Sequence, residues 1–319
     1  MHNVLGLNDS PNLPLLLAAL EPRPQTEVRE RAVSFPAADG RLLQGQLFQP
    51  TGAARGALLI GGATGVPQRF YAAYARWLAR HGLWVLSFDY RGIGRSRSLP
   101  LARDPARMRD WGRLDLPAAL DWLAAAAPGL PLYLIGHSVG GQMLGLMPNH
   151  ARLSRVVMLA SGFGYWGHMS PLYGRLVRIL VSALGPALYR LLGYAPNSRM
   201  GWGEDLPRGV AEDWFGWCQR PDYYAELLAD LPGQRFGGVT QPVLSLSFSD
   251  DPIATSANVS AQLACYPRAQ LSRLTVQPRT YGLARIGHLH FFSARMPEAL
   301  WRLPLDWLLS PNPENPATP

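Results

Sequence analysis

The sequence predicts an α/β protein, an open, doubly wound and mostly parallel sheet of about eight strands. Three observations lead there. Short apolar runs recur along the chain, each followed by glycine or a polar turn and then by a helical stretch, the pattern of strands buried on both faces. A Gly-x-Ser-x-Gly pentapeptide, Gly136-His137-Ser138-Val139-Gly140, stands directly behind one such run. The last two strand-like runs are set apart from the others by roughly 80 residues, far more than a βα connection needs, so an extra element is inserted there.

Taken in order, alternation over residues 31–35 and 42–48, joined by Ala37-Ala38-Asp39-Gly40, predicts an antiparallel hairpin. The parallel strands follow at 57–60, 83–88, 132–135, 156–160, 243–248 and 271–276. Helices over 68–80, 116–127, 142–147, 256–266 and 297–309 supply the right-handed crossovers. The insertion, 162–238, holds Trp166, Trp202, Trp214 and Trp217 and a helical pattern over 172–192 that Gly185-Pro186 is expected to interrupt. It reads as a helical cap over the strand ends. The expected organisation is an N-terminal extension (1–28), a core in two pieces (29–161 and 239–309), the cap (162–238) and a proline-broken tail (310–319).

Composition narrows the function. With 48% hydrophobic and 16% charged residues the chain is globular. All 30 basic residues are arginine and the net charge is +8. The complete absence of lysine in an Ala-, Gly-, Pro- and Arg-rich chain points to coding bias, and no nucleic-acid motif accompanies the charge, so nucleic acid is not an expected partner. Cys218 and Cys265 have no His or Cys at metal-ligand spacing and are read as inert thiols. The run Leu13 to Leu20 lacks the flanks of a secretory signal, and no apolar stretch reaches the ~18 residues of a membrane span. A cytoplasmic protein without membrane insertion, cofactor or metal is the expectation.

Ser138 is the candidate nucleophile, because a strand-to-helix turn this sharp holds a serine in a strained backbone conformation with only glycine-sized neighbours around it. A serine hydroxyl needs a base, and the base an orienting acid, in the chain order Ser, acid, His. Asp250-Asp251 follows the strand at 243–248, and Gly287-His288 follows the last strand. Asp251 is chosen because it opens the turn into the next helix, leaving Asp250 to bind loop backbone. His288 is preferred to His290, and His137 is read as a packing or hydrogen-bonding residue. The oxyanion donors are expected from Val139 and from Gly61-Gly62-Ala63-Thr64-Gly65, with Ala63 first and Thr64 next. Thr64 and Trp166 are expected to contact substrate. No Gly-Lys-Ser/Thr or dinucleotide fingerprint accompanies these glycines.

These segments resemble the α/β-hydrolase superfamily over residues 30–309. Asp89-x-Arg91-Gly92-x-Gly94-x-Ser96 is similar to its loop after the fourth strand, Gly136-x-Ser138-x-Gly140 to its nucleophile elbow, Asp251-Pro252-Ile253 to its acid turn, and Gly287-His288 with Phe291-Phe292 to its histidine loop. The chain looks most like bacterial predicted hydrolases related to the serine aminopeptidase and monoacylglycerol lipase-like groups. It departs from the common pattern at the oxyanion loop, where many relatives carry His-Gly and this chain has Gly61-Gly62-Ala63-Thr64-Gly65. The resemblance implies a serine hydrolase that cleaves a small-molecule carboxylic ester or thioester through an acyl-enzyme. The other readings are an acyltransferase with the same triad and a catalytically silent binding protein. Haloalkane dehalogenation is disfavoured, since in this fold it uses an aspartate where Ser138 stands.

Overall fold

The computed structural model describes residues 26–223 and 235–311. Most of the expected N-terminal extension, including Leu13 to Leu20, most of the tail and residues 224–234 of the insertion lie outside them. One eight-stranded sheet organises the chain, in the order β1-β2-β4-β3-β5-β6-β9-β10. The hairpin β1 (Val28–Pro36) and β2 (Leu42–Pro50) is antiparallel, and β2 lies antiparallel to β4 (Leu83–Asp89). From there β4, β3 (Gly56–Gly61), β5 (Leu132–His137), β6 (Leu153–Leu159), β9 (Pro242–Phe248) and β10 (Gln270–Val276) all run parallel.

Because side chains alternate along a strand, each parallel strand feeds two cores. Leu58, Ile60, Val85 and Ile135 face α1 (Ala72–Arg80) and α8 (Glu298–Leu309), meeting Tyr74, Leu78, Trp301 and Leu305. Leu59, Leu86 and Leu134 face the other way, toward Trp111 and α2 (Leu116–Ala126) with Leu120 and Leu123. All of these but Trp301 are essentially inaccessible to solvent. Each such aliphatic side chain contributes about 1.5–3 kcal/mol relative to exposure. The sheet is thus rigid at its middle, and its C-terminal edge is a fixed platform for loops.

Helices begin and end a few residues from where periodicity puts them. The stretch expected at 142–147 opens earlier, at α3 (Val139–Gln142), and tightens into a 3₁₀ turn, Met143–Leu146. Between β6 and β9 come α4 (Pro171–Ile179), a π turn (Leu180–Leu184), α5 (Gly185–Leu192), a small antiparallel pair β7 (Tyr194–Ala195) and β8 (Leu206–Pro207), and α6 (Arg208–Cys218). Gly185-Pro186 does not break the helix as expected. Proline cannot donate an i→i−4 bond, and the wider π turn just before it takes up the mismatch, so the helical path continues to Leu192. After β9, α7 (Ser256–Leu263) returns the chain to β10. Among the described residues, no helix is long and apolar enough to cross a membrane.

Candidate active site

β5 ends at His137 and α3 begins at Val139, so Ser138 alone makes the turn, with φ 52° and ψ −117°. Few non-glycine residues adopt this region, and the strain is held by surrounding bonds. The Ser138 N–H donates to the Leu159 carbonyl at 3.0 Å, and the Ser138 carbonyl accepts from Ser161 Oγ at 2.7 Å. Gly140 is required by sterics: a Cβ there would lie 2.2 Å from the Gly61 carbonyl oxygen, the backbone of the neighbouring loop. The elbow and the loop after β3 are therefore in backbone contact.

The loops after β9 and β10 bring the other two groups. His288 Nε2 lies 3.0 Å from Ser138 Oγ, and its Nδ1 lies 2.8 Å from Asp251 Oδ2. The second carboxylate oxygen of Asp251 accepts the N–H groups of Ile253 and Ala254, at 2.8 and 2.9 Å. Burial pushes the Asp251 pKa up, but the His288 imidazole and these two donors outweigh it and hold the carboxyl below its ordinary range. It is a fixed anion beneath the imidazole. Asp250 points elsewhere: its Oδ2 accepts from the N–H groups of Ile286 and Gly287, so it ties the β9 loop to the backbone just before His288. His290 Nδ1 bonds the Ile286 carbonyl at 3.1 Å.

Beneath these loops runs a buried chain that composition and spacing do not reveal. The Ala63 N–H donates to Tyr71 Oη at 2.7 Å. Tyr71 Oη is 2.9 Å from His137 Nδ1, and His137 Nε2 is 2.8 Å from the His288 carbonyl oxygen. A carbonyl only accepts, so His137 carries its proton on Nε2 and accepts a hydrogen bond from the Tyr71 hydroxyl at Nδ1. Burial, with His288 adding to it, pushes the His137 pKa down to about 3, and the ring is neutral. The x position of the elbow thus links the β3 loop to the histidine loop. This geometry also corrects one expectation: the Ala63 N–H is not an open oxyanion donor, because the Tyr71 hydroxyl occupies it. Val139 opens α3, where a first-turn N–H has no partner within its helix.

The segment between β6 and β9 touches the same loops. The Glu204 N–H donates to the Gly65 carbonyl at 2.7 Å, while Glu204 Oε2 accepts from the Gly94 N–H at 2.7 Å. Gly203, at φ 92°, passes so close that a Cβ would lie 2.5 Å from the Gly65 oxygen. Trp166 is half-buried, packs on Tyr165 and carries the Arg178 guanidinium 5.0 Å above its ring. Thr64 is half-buried in the β3 loop. Neither cysteine offers a ready thiolate, since burial pushes the Cys218 thiol up to about 12 and Cys265 up to about 11.

Strand order, elbow and loop placement are those of the α/β-hydrolase fold, and comparison with known proteins agrees. A family model described as serine aminopeptidase, S33, matches residues 55–211, just under half of the chain and ending before the acid and histidine loops. A hypothetical protein from Pseudomonas aeruginosa superposes with a TM-score of 0.57 at 18% identity, over 85% of this chain and 90% of that one. The α/β hydrolase GrgF from a Penicillium species gives 0.56 at 20%, over 88% and 98%. The Pyrococcus furiosus esterase Pf2001 gives 0.53 at 14%, over 93% and 92%. No curated protein matches the sequence. The chain has the α/β-hydrolase fold, and the stretch from β3 into α6 is similar to the S33 serine aminopeptidase group.

Proposed function

We propose that the protein is a serine hydrolase that cleaves a carboxylic ester or thioester, with Ser138 as nucleophile, His288 as base and Asp251 as orienting acid. The observation that carries this reading is the unbroken chain Ser138 Oγ, His288 Nε2, His288 Nδ1, Asp251 Oδ2, with contacts of 3.0 and 2.8 Å. Ser138 Oγ attacks the acyl carbon as its proton passes to His288 Nε2, and the Asp251 carboxylate stabilises the imidazolium that forms. The tetrahedral oxyanion is met by the Val139 N–H and by a donor from the β3 loop, Thr64 being next in line to the engaged Ala63. Collapse breaks the carbon–oxygen or carbon–sulfur bond, and the leaving alkoxide or thiolate takes the proton from His288. Water then attacks the acyl-enzyme with His288 again as base, releasing the acid and restoring the serine.

In this reading residues 162–238 act as a cap, and Trp166 and Thr64 border an acyl site. Aromatic surfaces there would exclude water and favour small or medium-sized apolar acyl groups. The esterase named among the structural neighbours is consistent with ester chemistry. The test is fluorophosphonate labelling followed by mass mapping, with a panel of p-nitrophenyl esters and acyl thioesters of increasing chain length. Adduct at Ser138 together with turnover of the panel is the expected result; a folded protein that neither labels nor hydrolyses overturns the reading in favour of a binding protein.

A further inference from the structure

The outward face of the helical path over 171–192 carries an exposed apolar stripe. Leu172, Leu176, Ile179, Leu184 and Leu191 are all open to solvent, Leu172 at 74% and Leu191 at 81%. Along the sequence their spacings are 4, 3, 5 and 7. In an uninterrupted α-helix the spacing of 5 would turn the last two about 100° away from the first three. The π turn Leu180–Leu184 lies at that step and absorbs the odd residue, leaving an effective series of about 4, 3, 4 and 7 that keeps all five on one line. Gly174, Val177, Val181 and Tyr189 fill the opposite, buried face. The stripe is therefore continuous, about five turns long, and shares its helix with a fully packed inner face.

The charges on the path itself have one sign; Glu212 of α6 approaches it near Tyr189 but is paired with Arg107 and Arg208. Arg175, Arg178 and Arg190 are exposed on the same path, and by helical phase they flank one side of the stripe. Between Asp121 and Glu204 the chain contains no Asp or Glu at all. The absence of acid is regional, so it is not explained by the arginine-rich composition of the whole chain. A second copy of this face would bring like charges together. A surface of anionic headgroups over acyl chains complements both features, with leucines in the acyl boundary and guanidinium groups among the phosphates.

We propose that this helical face docks the protein peripherally on an anionic phospholipid surface. The docking extends the hydrolase reading by giving the enzyme access to apolar esters that partition into lipid, but it does not depend on that reading. Vesicle binding of the catalytically blocked Ser138→Ala protein tests it separately from catalysis. The experiment is co-sedimentation of the full chain with vesicles of phosphatidylcholine alone and of phosphatidylcholine with about a third phosphatidylglycerol, with light scattering on the free protein. The expected result is binding to the anionic vesicles that weakens in high salt. Binding should fall about tenfold or more in Leu176→Glu/Ile179→Glu and in Arg175→Glu/Arg190→Glu. The milder Leu172→Gln/Leu191→Gln pair should weaken it in the same direction, and all three variants should hydrolyse a soluble short-chain ester at the wild-type rate. Absence of binding to anionic vesicles, or binding that survives both leucine sets, overturns the proposal. A dimer that dissociates in Leu176→Glu/Ile179→Glu, without vesicle binding, overturns it in favour of a contact between copies.

Discussion

The loops at the C-terminal edge of the sheet and the helical path over 171–192 are built on opposite terms. At the sheet edge the working atoms already have partners: Asp251 is bonded through both oxygens, His288 through both nitrogens, and the backbones of Gly61 and Gly140 touch. On the helical path, half of each turn is packed and the other half presents leucine and isoleucine to solvent. The first region is closed on itself and changes little without being damaged. The second is complete only inward, and its outer face can vary freely as far as the fold is concerned. The proposed chemistry thus sits where substitutions are least tolerated, and the proposed docking face where they are most tolerated.

Removing the proposed nucleophile tests the contrast most severely. Ser138→Ala is expected to lower kcat on any ester turned over by about 10⁴ or more, and His288→Ala comparably, with circular dichroism and melting temperature near wild type. His290→Ala should be mild, since the residue is exposed and its ring is hydrogen-bonded to the Ile286 carbonyl. If His290→Ala were the damaging change, the base would have to be reassigned. Next in size, Asp251→Asn should cost about 10³–10⁴ in kcat by disturbing the imidazole tautomer. Asp250→Asn should cost far less, because its partners are backbone N–H groups that an amide oxygen can still accept from. Equal losses would erase the distinction between orienting acid and loop tie.

His137 gives a pH test of how closed the sheet edge is. Its pKa falls to about 3 in the folded chain, against an ordinary value near 6.5 in the unfolded one. Between those values the unfolded state binds the extra proton, so stability contributed by the neutral buried ring is full above pH 6.5 and is lost as pH falls. From pH 6.5 to 5 the loss is about 2 kcal/mol. His137→Gln should be less stable at neutral pH yet lose less on acidification, as read from denaturant midpoints at pH 7 and 5. Parallel losses in the two proteins would mean that the ring is not held neutral.

The smallest expected effect lies in the insertion. Trp166→Ala should reorder kcat/KM among acyl lengths by several-fold while fluorophosphonate capture at Ser138 stays within about tenfold, because the tryptophan supplies surface and no proton. An unchanged order with a lowered melting temperature would make Trp166 packing alone.

Most of the sheet was legible because buried parallel strands leave continuous apolar runs, and all six were found within a few residues of their ends. The turn at Ser138 was legible because its neighbours must be glycine, and the loops that bring Asp251 and His288 to it follow in the expected order. Asp250 and Asp251 separated only through their hydrogen bonds, although the sequence already favoured Asp251 as the one opening the turn. The Tyr71–His137 link was not legible, since it joins residues 66 positions apart through a geometry that no local pattern encodes. That link is also why the Ala63 expectation failed. The π turn was hidden for a different reason: Gly185-Pro186 signals a break, and whether the chain breaks or widens there is decided by packing on both sides of it.

The seam between Gly65, Gly203 and Glu204 has a consequence for anyone recombining these proteins. Insertions between two strands are attractive modules to exchange, because their ends lie close together and the sheet folds around them. Here the module carries part of the floor: Glu204 grips the backbone of Gly65 and Gly94 at once. A graft cut at β6 and β9 that brings a foreign segment would leave two core loops without their backbone partners, and a foreign side chain in place of Gly203 would collide with one of them. Exchange should therefore succeed only when the loops at Gly61 to Gly65 and Arg91 to Ser96 travel with the insertion, so that the heritable unit is discontinuous in sequence though contiguous in space.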